Sequence, residues 1–125
     1  KSDTLKSQRV ATCHLFIYTC HGGGIVSIKT RERDVESYLV KRLDEANLPC
    51  IKFVPDGKVG MPDRLVLLPD QRVLWVELKT SGGHLEEIQK LQHKRLIESG
   101  HCVRVVWSKA DVDDLVADVV GRLNR

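Results

Sequence analysis

Apolar residues recur at helical spacing in three stretches of the chain, 31–48, 84–100 and the segment that follows Ser108, with charged residues between them. This period predicts three amphipathic helices. The inward-facing positions are expected to be Val35, Leu39, Leu43 and Ala46 in the first helix, Leu85, Ile88, Leu91 and Leu96 in the second, and Val112, Leu115, Val116, Val119 and Leu123 in the third. Gly100 suits the end of the second helix, and Ser108 with Asp111 resembles a capping box at the start of the third.

Short apolar runs bounded by turn residues predict four strands at 50–54, 63–68, 72–79 and 101–107. The sequence Pro-Asp-Gln at 69–71 predicts a hairpin between the second and third of them. The strand–helix–strand order from 72 to 107 favours a parallel pair with a right-handed crossover. The chain is therefore predicted to be an α/β protein with a mixed sheet flanked by helices.

Residues 1–30 differ from the rest and are interpreted as an N-terminal extension of uncertain structure, followed by a single domain at 31–125. "RVATCHLFIYT" at 9–19 has the pattern of a strand, and "HGGG" at 21–24 that of a linker. The segment is compatible with an added strand, a dimer arm or partial disorder. Because the sequence begins at Lys1, we expect processing or truncation upstream.

The composition is that of a globular protein, with 42% hydrophobic and 30% charged residues and a formal net charge of +3. This mildly basic balance permits an anionic partner without requiring one. No apolar run approaches a membrane span, and no signal peptide is visible, so an intracellular location is expected: the cytoplasm of a bacterial or phage-infected host, or a nucleus. Four cysteines without a C-x-x-C pair favour reduced thiols. Zinc binding by Cys13, His14, Cys20 and His21 is disfavoured because their spacing fits no standard finger.

Three charged residues stand at the ends of the predicted hairpin strands. Asp63 begins one strand, and Glu77 and Lys79 end the next on a shared face. In a hairpin that turns at 69–71, Asp63 and Glu77 become neighbours. Two adjacent carboxylates repel each other unless a divalent cation binds between them. Ordinary solvent-facing strand ends also carry such charges, but the preceding Gly-Met-Pro, the hairpin and the following Thr-Ser-Gly-Gly favour a metal-assisted hydrolytic site.

These motifs resemble the VRR-NUC domain, a branch of the PD-(D/E)xK nuclease superfamily. The resemblance rests on Gly-x-Pro-Asp-Arg at 60–64, Glu-Leu-Lys-Thr at 77–80, "RERDVESYLVKRL", "IKF" and the pattern Gln89, His93, Leu96, Gly100. It covers roughly residues 31–115 and implies a restriction-endonuclease-like core of αβββαβ order. Glu86 departs from the family, which often has Ser or Thr there as the helix N-cap, so the start of that helix is uncertain.

The resemblance implies a Mg²⁺-dependent DNA endonuclease in which Mn²⁺ can substitute. It assigns the metal to Asp63, Glu77, the Leu78 carbonyl and Glu36, the activation of water to Lys79, and a supporting role to Gln89. Compact viral-type members resemble homodimeric Holliday junction resolvases, so branched DNA is the expected substrate. A flap, restriction or repair nuclease of the same superfamily, or a non-catalytic DNA-binding module, are the alternatives.

The remaining polar candidates are weighed by position. Gln92 competes with Gln89 but falls nearer the middle of the apolar stripe, so a buried structural amide is expected there. His84 and His93 are interpreted as polar surface. Several basic residues are expected to contact DNA phosphates, although they are equally compatible with an ordinary solvent-exposed face. These are Lys52, Lys58, Lys90, Lys94 and Arg95.

Overall fold

The fold is described from a computed structural model, which covers residues 31–80 and 82–124. The predicted extension at 1–30, with Cys13, His14, Cys20 and His21, lies outside the described residues. Three helices and four strands follow in the predicted αβββαβα order. They are α1 (Glu32–Glu45), β1 (Cys50–Lys52), β2 (Arg64–Leu67), β3 (Val73–Leu78), α2 (Glu87–Glu98), β4 (Cys102–Val106) and α3 (Lys109–Leu123).

The four strands form one mixed sheet in the order β1-β2-β3-β4. The pairs β1–β2 and β2–β3 are antiparallel, while β3 and β4 are parallel and joined through α2. Arg64 lies opposite Val76, and Leu67 lies opposite Val73. The hairpin and the parallel crossover are therefore both confirmed.

One face of the sheet carries the main hydrophobic core. Leu74, Val76 and Leu78 of β3 are buried on this face against the apolar stripes of α1 and α3. The stripe residues that are almost fully buried are Val35, Leu39, Leu43, Val112, Leu115 and Val119. Because side chains alternate along a strand, Trp75 and Glu77 face the other way, toward α2. Covering both faces explains why β3 is apolar from Val73 to Val76.

The buried face of α2 differs from the prediction. Ile88 and Leu91 were expected to point inward, but they are 37% and 41% exposed. The side chains turned toward the sheet include Gln92 and His93, which are buried. The helix is thus rotated so that two polar groups, rather than two aliphatic ones, are buried beneath it. Gln92 has its hydrogen-bonding partner in the segment between β1 and β2, and His93 has its partner in β3.

The helix ends agree with simple capping chemistry. Ser108 Oγ accepts a hydrogen bond from the Asp111 N–H at 3.1 Å, as the predicted cap of α3 requires. Gly100 ends α2 with φ +93°, a conformation that glycine adopts without steric cost. None of the helices in the described ranges is long and apolar enough to cross a membrane.

Candidate active site

The β2–β3 register brings the two predicted carboxylates together. Arg64 pairs with Val76, so Asp63, one residue earlier, lies opposite Glu77, one residue later. Asp63 Oδ2 accepts a hydrogen bond from the Leu78 N–H at 2.8 Å, and the Asp63 carbonyl accepts one from the Phe53 N–H at 2.9 Å. The Asp63 carboxylate is therefore held by β3 and its backbone by the end of β1, beside Glu77 as the hairpin predicted.

Glu77 is a carboxyl group in an unfavourable place for a negative charge. It is 2% exposed, and burial, together with a hydrogen bond to Asp63 and the charge of that residue, raises its pKa to about 9. Without a cation, Glu77 therefore holds a proton at neutral pH and can donate it to Asp63. A positive ion between the two oxygens would favour the ionised pair.

Lys79 supplies one positive charge to the same place. Its backbone N–H donates to the Val106 carbonyl at 2.9 Å, which fixes it beside β4. Its ammonium group lowers the pKa of both Glu77 and His93, opposing in the first case the effect of burial. Lys79 is half-buried, and its effect on Glu77 indicates that its ammonium group lies near the carboxyl pair.

His93 belongs to this cluster, and its interpretation as polar surface was wrong. It is fully buried, with Nε2 3.3 Å from Glu77 Oε1. Burial lowers its pKa to about 4, so the ring is neutral at pH 7. Its Nδ1 has no hydrogen-bonding partner among the described residues. A sequence signal existed: His93 lies on the helical stripe that also contains Leu85 and Leu96.

The glutamate of α1 that acts on the cluster is Glu32. Its pKa is raised by partial burial and by the nearby Asp63, and its charge in turn raises the pKa of Glu77. Glu36, assigned to the metal by resemblance, is instead paired with Arg64, with its Oε2 3.0 Å from Arg64 Nε. Arg64 lies opposite Val76, which faces α1, and Glu77 faces α2. A direct role for Glu36 would require its release from Arg64.

The two glutamines of α2 have separate tasks. Gln89 Oε1 accepts a hydrogen bond from the Glu86 N–H at 2.9 Å, which caps the helix and resolves its uncertain start. Gln92 is buried, and its amide donates to the Val59 carbonyl at 3.1 Å. The expected structural role of Gln92 is therefore confirmed, and Gln89 lies at the first turn of the helix that carries His93.

The predicted phosphate-contacting lysines are all exposed. Lys90 and Lys94 form ion pairs along their own helix with Glu87 and Glu98, at 3.2 and 3.9 Å. Lys52 ends β1, and Lys58 lies in the segment that leads to Asp63.

The donor set at the hairpin suits a hard divalent cation. Within residues 31–80 and 82–124, no three side chains of the His, Cys, Asp and Glu types converge as a metal-binding group. Mg²⁺ does not need three, because it is usually held by one or two carboxylates and completes its shell with water and phosphate oxygens. Asp63 and Glu77, adjacent and partly shielded from water, fit this pattern.

Comparison with known proteins agrees with the geometry. No family model matches the chain. A protein of Acyrthosiphon pisum secondary endosymbiont phage 1, named "Putative nuclease p44", is 38% identical over 79 residues, which is 63% of this chain and 85% of that protein. A solved structure described as "VRR_NUC domain" is 32% identical with a TM-score of 0.65, covering 70% of this chain and 95% of the other.

A second solved structure, a "VRR_NUC domain protein", is 16% identical with a TM-score of 0.60 and covers 75% of this chain and 91% of its own, which supports the fold. The first of these structures is 32% identical to the chain and covered to 95%, and the phage relative is named as a nuclease. Together with the sheet order and the paired carboxylates, they show that the chain belongs to the VRR-NUC family of nucleases.

Proposed function

We propose that this nuclease hydrolyses phosphodiester bonds within DNA and depends on Mg²⁺, for which Mn²⁺ can substitute. The observation that supports this most strongly is the buried Glu77 carboxyl group hydrogen-bonded to Asp63, with its pKa raised to about 9. A protein gains little stability from such a pair in the absence of a cation. The arrangement is useful if a cation binds there during function.

Asp63 and Glu77 would hold the cation through their oxygens, with the Leu78 carbonyl as a further ligand. When bound, the ion supplies charge stabilisation to the phosphoryl oxygens and lowers the pKa of a coordinated water. The Leu78 N–H holds Asp63 at 2.8 Å, and His93 Nε2 lies 3.3 Å from Glu77 Oε1. These contacts fix the oxygens before the substrate arrives, which reduces the reorganisation needed for catalysis.

Lys79 is proposed to orient the attacking water and to stabilise the negative charge that develops on the phosphate. Its ammonium group is close enough to influence Glu77, Glu32 and His93 electrostatically. Glu32 adds negative charge from α1, which would favour a cation at the cluster. Glu36 and Gln89 are proposed to support the site indirectly, through Arg64 and the first turn of α2.

We also propose that branched DNA is the preferred substrate and that two copies of the chain act together. Cutting a four-way junction requires two symmetric incisions, and a two-fold dimer supplies two equivalent sites. A Holliday junction is the first substrate to test, followed by flaps. This part of the proposal rests on the resemblance to compact viral-type nucleases.

The test is cleavage of labelled junction, flap and linear duplex DNA with Mg²⁺, Mn²⁺ or EDTA. Glu77→Gln and Lys79→Ala should each reduce the cleavage rate by at least about a hundredfold, because each removes a group that stabilises the transition state. Binding of the same DNA in EDTA should change little. Glu45→Gln, an exposed glutamate at the end of α1, is the matched control and should cut normally.

The outcomes separate the alternatives. If the unaltered protein binds branched DNA but cuts none of the substrates with either metal, it is a DNA-binding module. Cleavage of linear duplex at one fixed sequence would indicate a restriction-type enzyme. Cleavage that continues in EDTA would contradict the role of the cation.

A further inference from the structure

A pocket of about 220 Å³ lies between α2 and the segment that links β1 to β2. Its apolar lining comes from Phe53, Met61 and Leu96, and its polar lining includes Lys58, Gln92 and Arg95. The pocket is thus apolar inside and cationic at its rim, and the proposed mechanism does not use it.

The walls of the pocket are held in place by direct contacts. Gln92 donates to the Val59 carbonyl at 3.1 Å. Gly60 has φ +89°, and a Cβ at this position would lie 2.9 Å from the Ile88 carbonyl oxygen, so the linking segment packs directly against α2. The Phe53 ring is oriented by an edge contact with Trp75, with ring centroids 5.0 Å apart. The pocket therefore exists before any ligand binds.

The two cations at the rim are available to an anion. Lys58 and Arg95 are exposed, and neither forms an ion pair within the described portion of the chain, whereas Lys90 and Lys94 on the same helix as Arg95 do. An apolar, partly aromatic interior with two unpaired cations at its mouth matches a nucleotide, which joins a flat base to an anionic phosphate.

The pocket is next to the proposed active site. Met61 is two residues before Asp63, and Gln92 directly precedes His93, so the segment and the helix that line the pocket also carry members of the carboxylate cluster. A strand whose phosphodiester lies at Asp63 and Glu77 would present a neighbouring nucleotide to the pocket. A base can enter only when it is neither paired nor stacked within a duplex.

We propose that this pocket binds one unpaired nucleotide of the DNA, its base against Phe53 and Met61 and its phosphate near Lys58 and Arg95. Among branched DNAs, the pocket therefore selects those with an unpaired nucleotide beside the scissile bond, and a fully paired junction would have to open there before it is cut. This inference rests on the proposed nuclease function and names the structural feature of the DNA that the site recognises.

The test compares DNA binding in EDTA for the unaltered protein, a Lys58→Ala/Arg95→Ala variant and a Lys41→Ala/Lys109→Ala control. The control removes the same charge from α1 and α3, which do not line the pocket. The probes are a paired duplex, the same duplex with a short single-stranded extension, and a third whose extension lacks bases. The unaltered protein and the control should prefer the extension with bases over both other probes by roughly tenfold. The Lys58→Ala/Arg95→Ala variant should lose that preference.

Two results would overturn the inference: equal binding of the base-containing and base-free extensions by the unaltered protein, or an equal loss of affinity for all three probes in the Lys58→Ala/Arg95→Ala variant. Cleavage of the same probes with Mg²⁺ separates a failure of the pocket hypothesis from a failure of the proposed nuclease function. A protein that cuts DNA without this preference refutes the pocket alone, while one that neither binds nor cuts DNA refutes the proposed function itself.

Discussion

The Glu77 side chain combines burial with a neighbouring carboxylate, and both disfavour its ionised form. It is nearly inaccessible to water, lies beside Asp63, and contacts a histidine that burial keeps neutral. Such a carboxyl group costs folding free energy at neutral pH, since the unfolded chain would ionise it freely. A divalent cation bound beside Asp63 and Glu77 would offset this cost by stabilising the ionised carboxylate.

The pH dependence of stability of the metal-free protein follows from these two groups. The pKa of Glu77 is 4.5 unperturbed and about 9 in the fold, so its contribution is present at low pH and lost as pH rises through that interval. The pKa of His93 is 6.5 unperturbed and about 4 in the fold, so its contribution grows between those values. Up to about pH 6.5, the two groups change the free energy of unfolding in opposite directions. From there to about pH 9, Glu77 alone of the two lowers it.

We therefore expect the free energy of unfolding in EDTA to fall by about 1–3 kcal/mol between pH 6.5 and 9. Urea unfolding at several pH values measures it. Glu77→Gln should be more stable than the unaltered protein at pH 8 and should lack this fall, because an amide cannot ionise. The Glu45→Gln control should keep it, and an equal fall in both variants would show that another group is responsible.

His93 is expected to support catalysis through its contact with Glu77. His93→Phe fills a similar volume but cannot hydrogen-bond, so it should fold and still lower kcat by roughly tenfold, the effect of losing a hydrogen bond to a charged group. His93→Ala should also lose about 2 kcal/mol or more of stability through the cavity it creates. Steady-state cleavage kinetics and thermal unfolding separate the two effects. Unchanged kcat in His93→Phe would mean that the ring only fills space.

At the scale of elements, the segment between β1 and β2 is positioned by its contact with α2. Gly60 allows that contact, since its φ is +89° and an added Cβ would meet the Ile88 backbone. The same segment carries Pro62 and Asp63 into the site, so the packing of a loop against a helix determines where a carboxylate lies.

Gly60→Ala should therefore destabilise the protein by about 2–4 kcal/mol, from backbone strain together with displacement of the loop. Gly57→Ala is the matched control, because Gly57 has φ +73° but no atom would lie within 4 Å of an added Cβ there. It should cost only about 1–2 kcal/mol of strain. Chemical denaturation of both variants gives the difference, and equal losses would show that the contact with Ile88 carries no energy.

The elements that were predictable from sequence are those with a clear period or a strong turn. The stripes of α1 and α3 and the hairpin at 69–71 are local features, and the hairpin brings Asp63 to Glu77 because register follows from turn position. The face of α2 was not predictable in the same way. Its apolar spacing predicted that Ile88 and Leu91 would be buried, but both are exposed, and Gln92 and His93 are buried instead. Which side of the helix is buried depends on how the helix packs on the sheet.

At the scale of the whole molecule, the site combines groups that only tertiary structure brings together. Glu32 and His93 come from helices packed on different faces of the sheet, and both act on Glu77. Spacing could not show that Glu32 is electrostatically coupled to Asp63 and Glu77, or that Glu36, one helical turn later, is paired with Arg64. The hairpin residues Asp63, Glu77 and Lys79 could be identified from the sequence. The helical residues Glu32 and His93 could not.

The central claim is that Asp63 and Glu77 jointly bind a divalent cation. Calorimetric titration of the DNA-free protein with Mn²⁺ at pH 7.5, repeated in buffers of different ionisation enthalpy, tests it most directly. We predict binding accompanied by release of about one proton per chain, since Glu77 must ionise to become a ligand, and loss of both in Asp63→Asn and Glu77→Gln. Binding of equal affinity and equal proton release in those two variants, or no binding at millimolar Mn²⁺, would contradict the account.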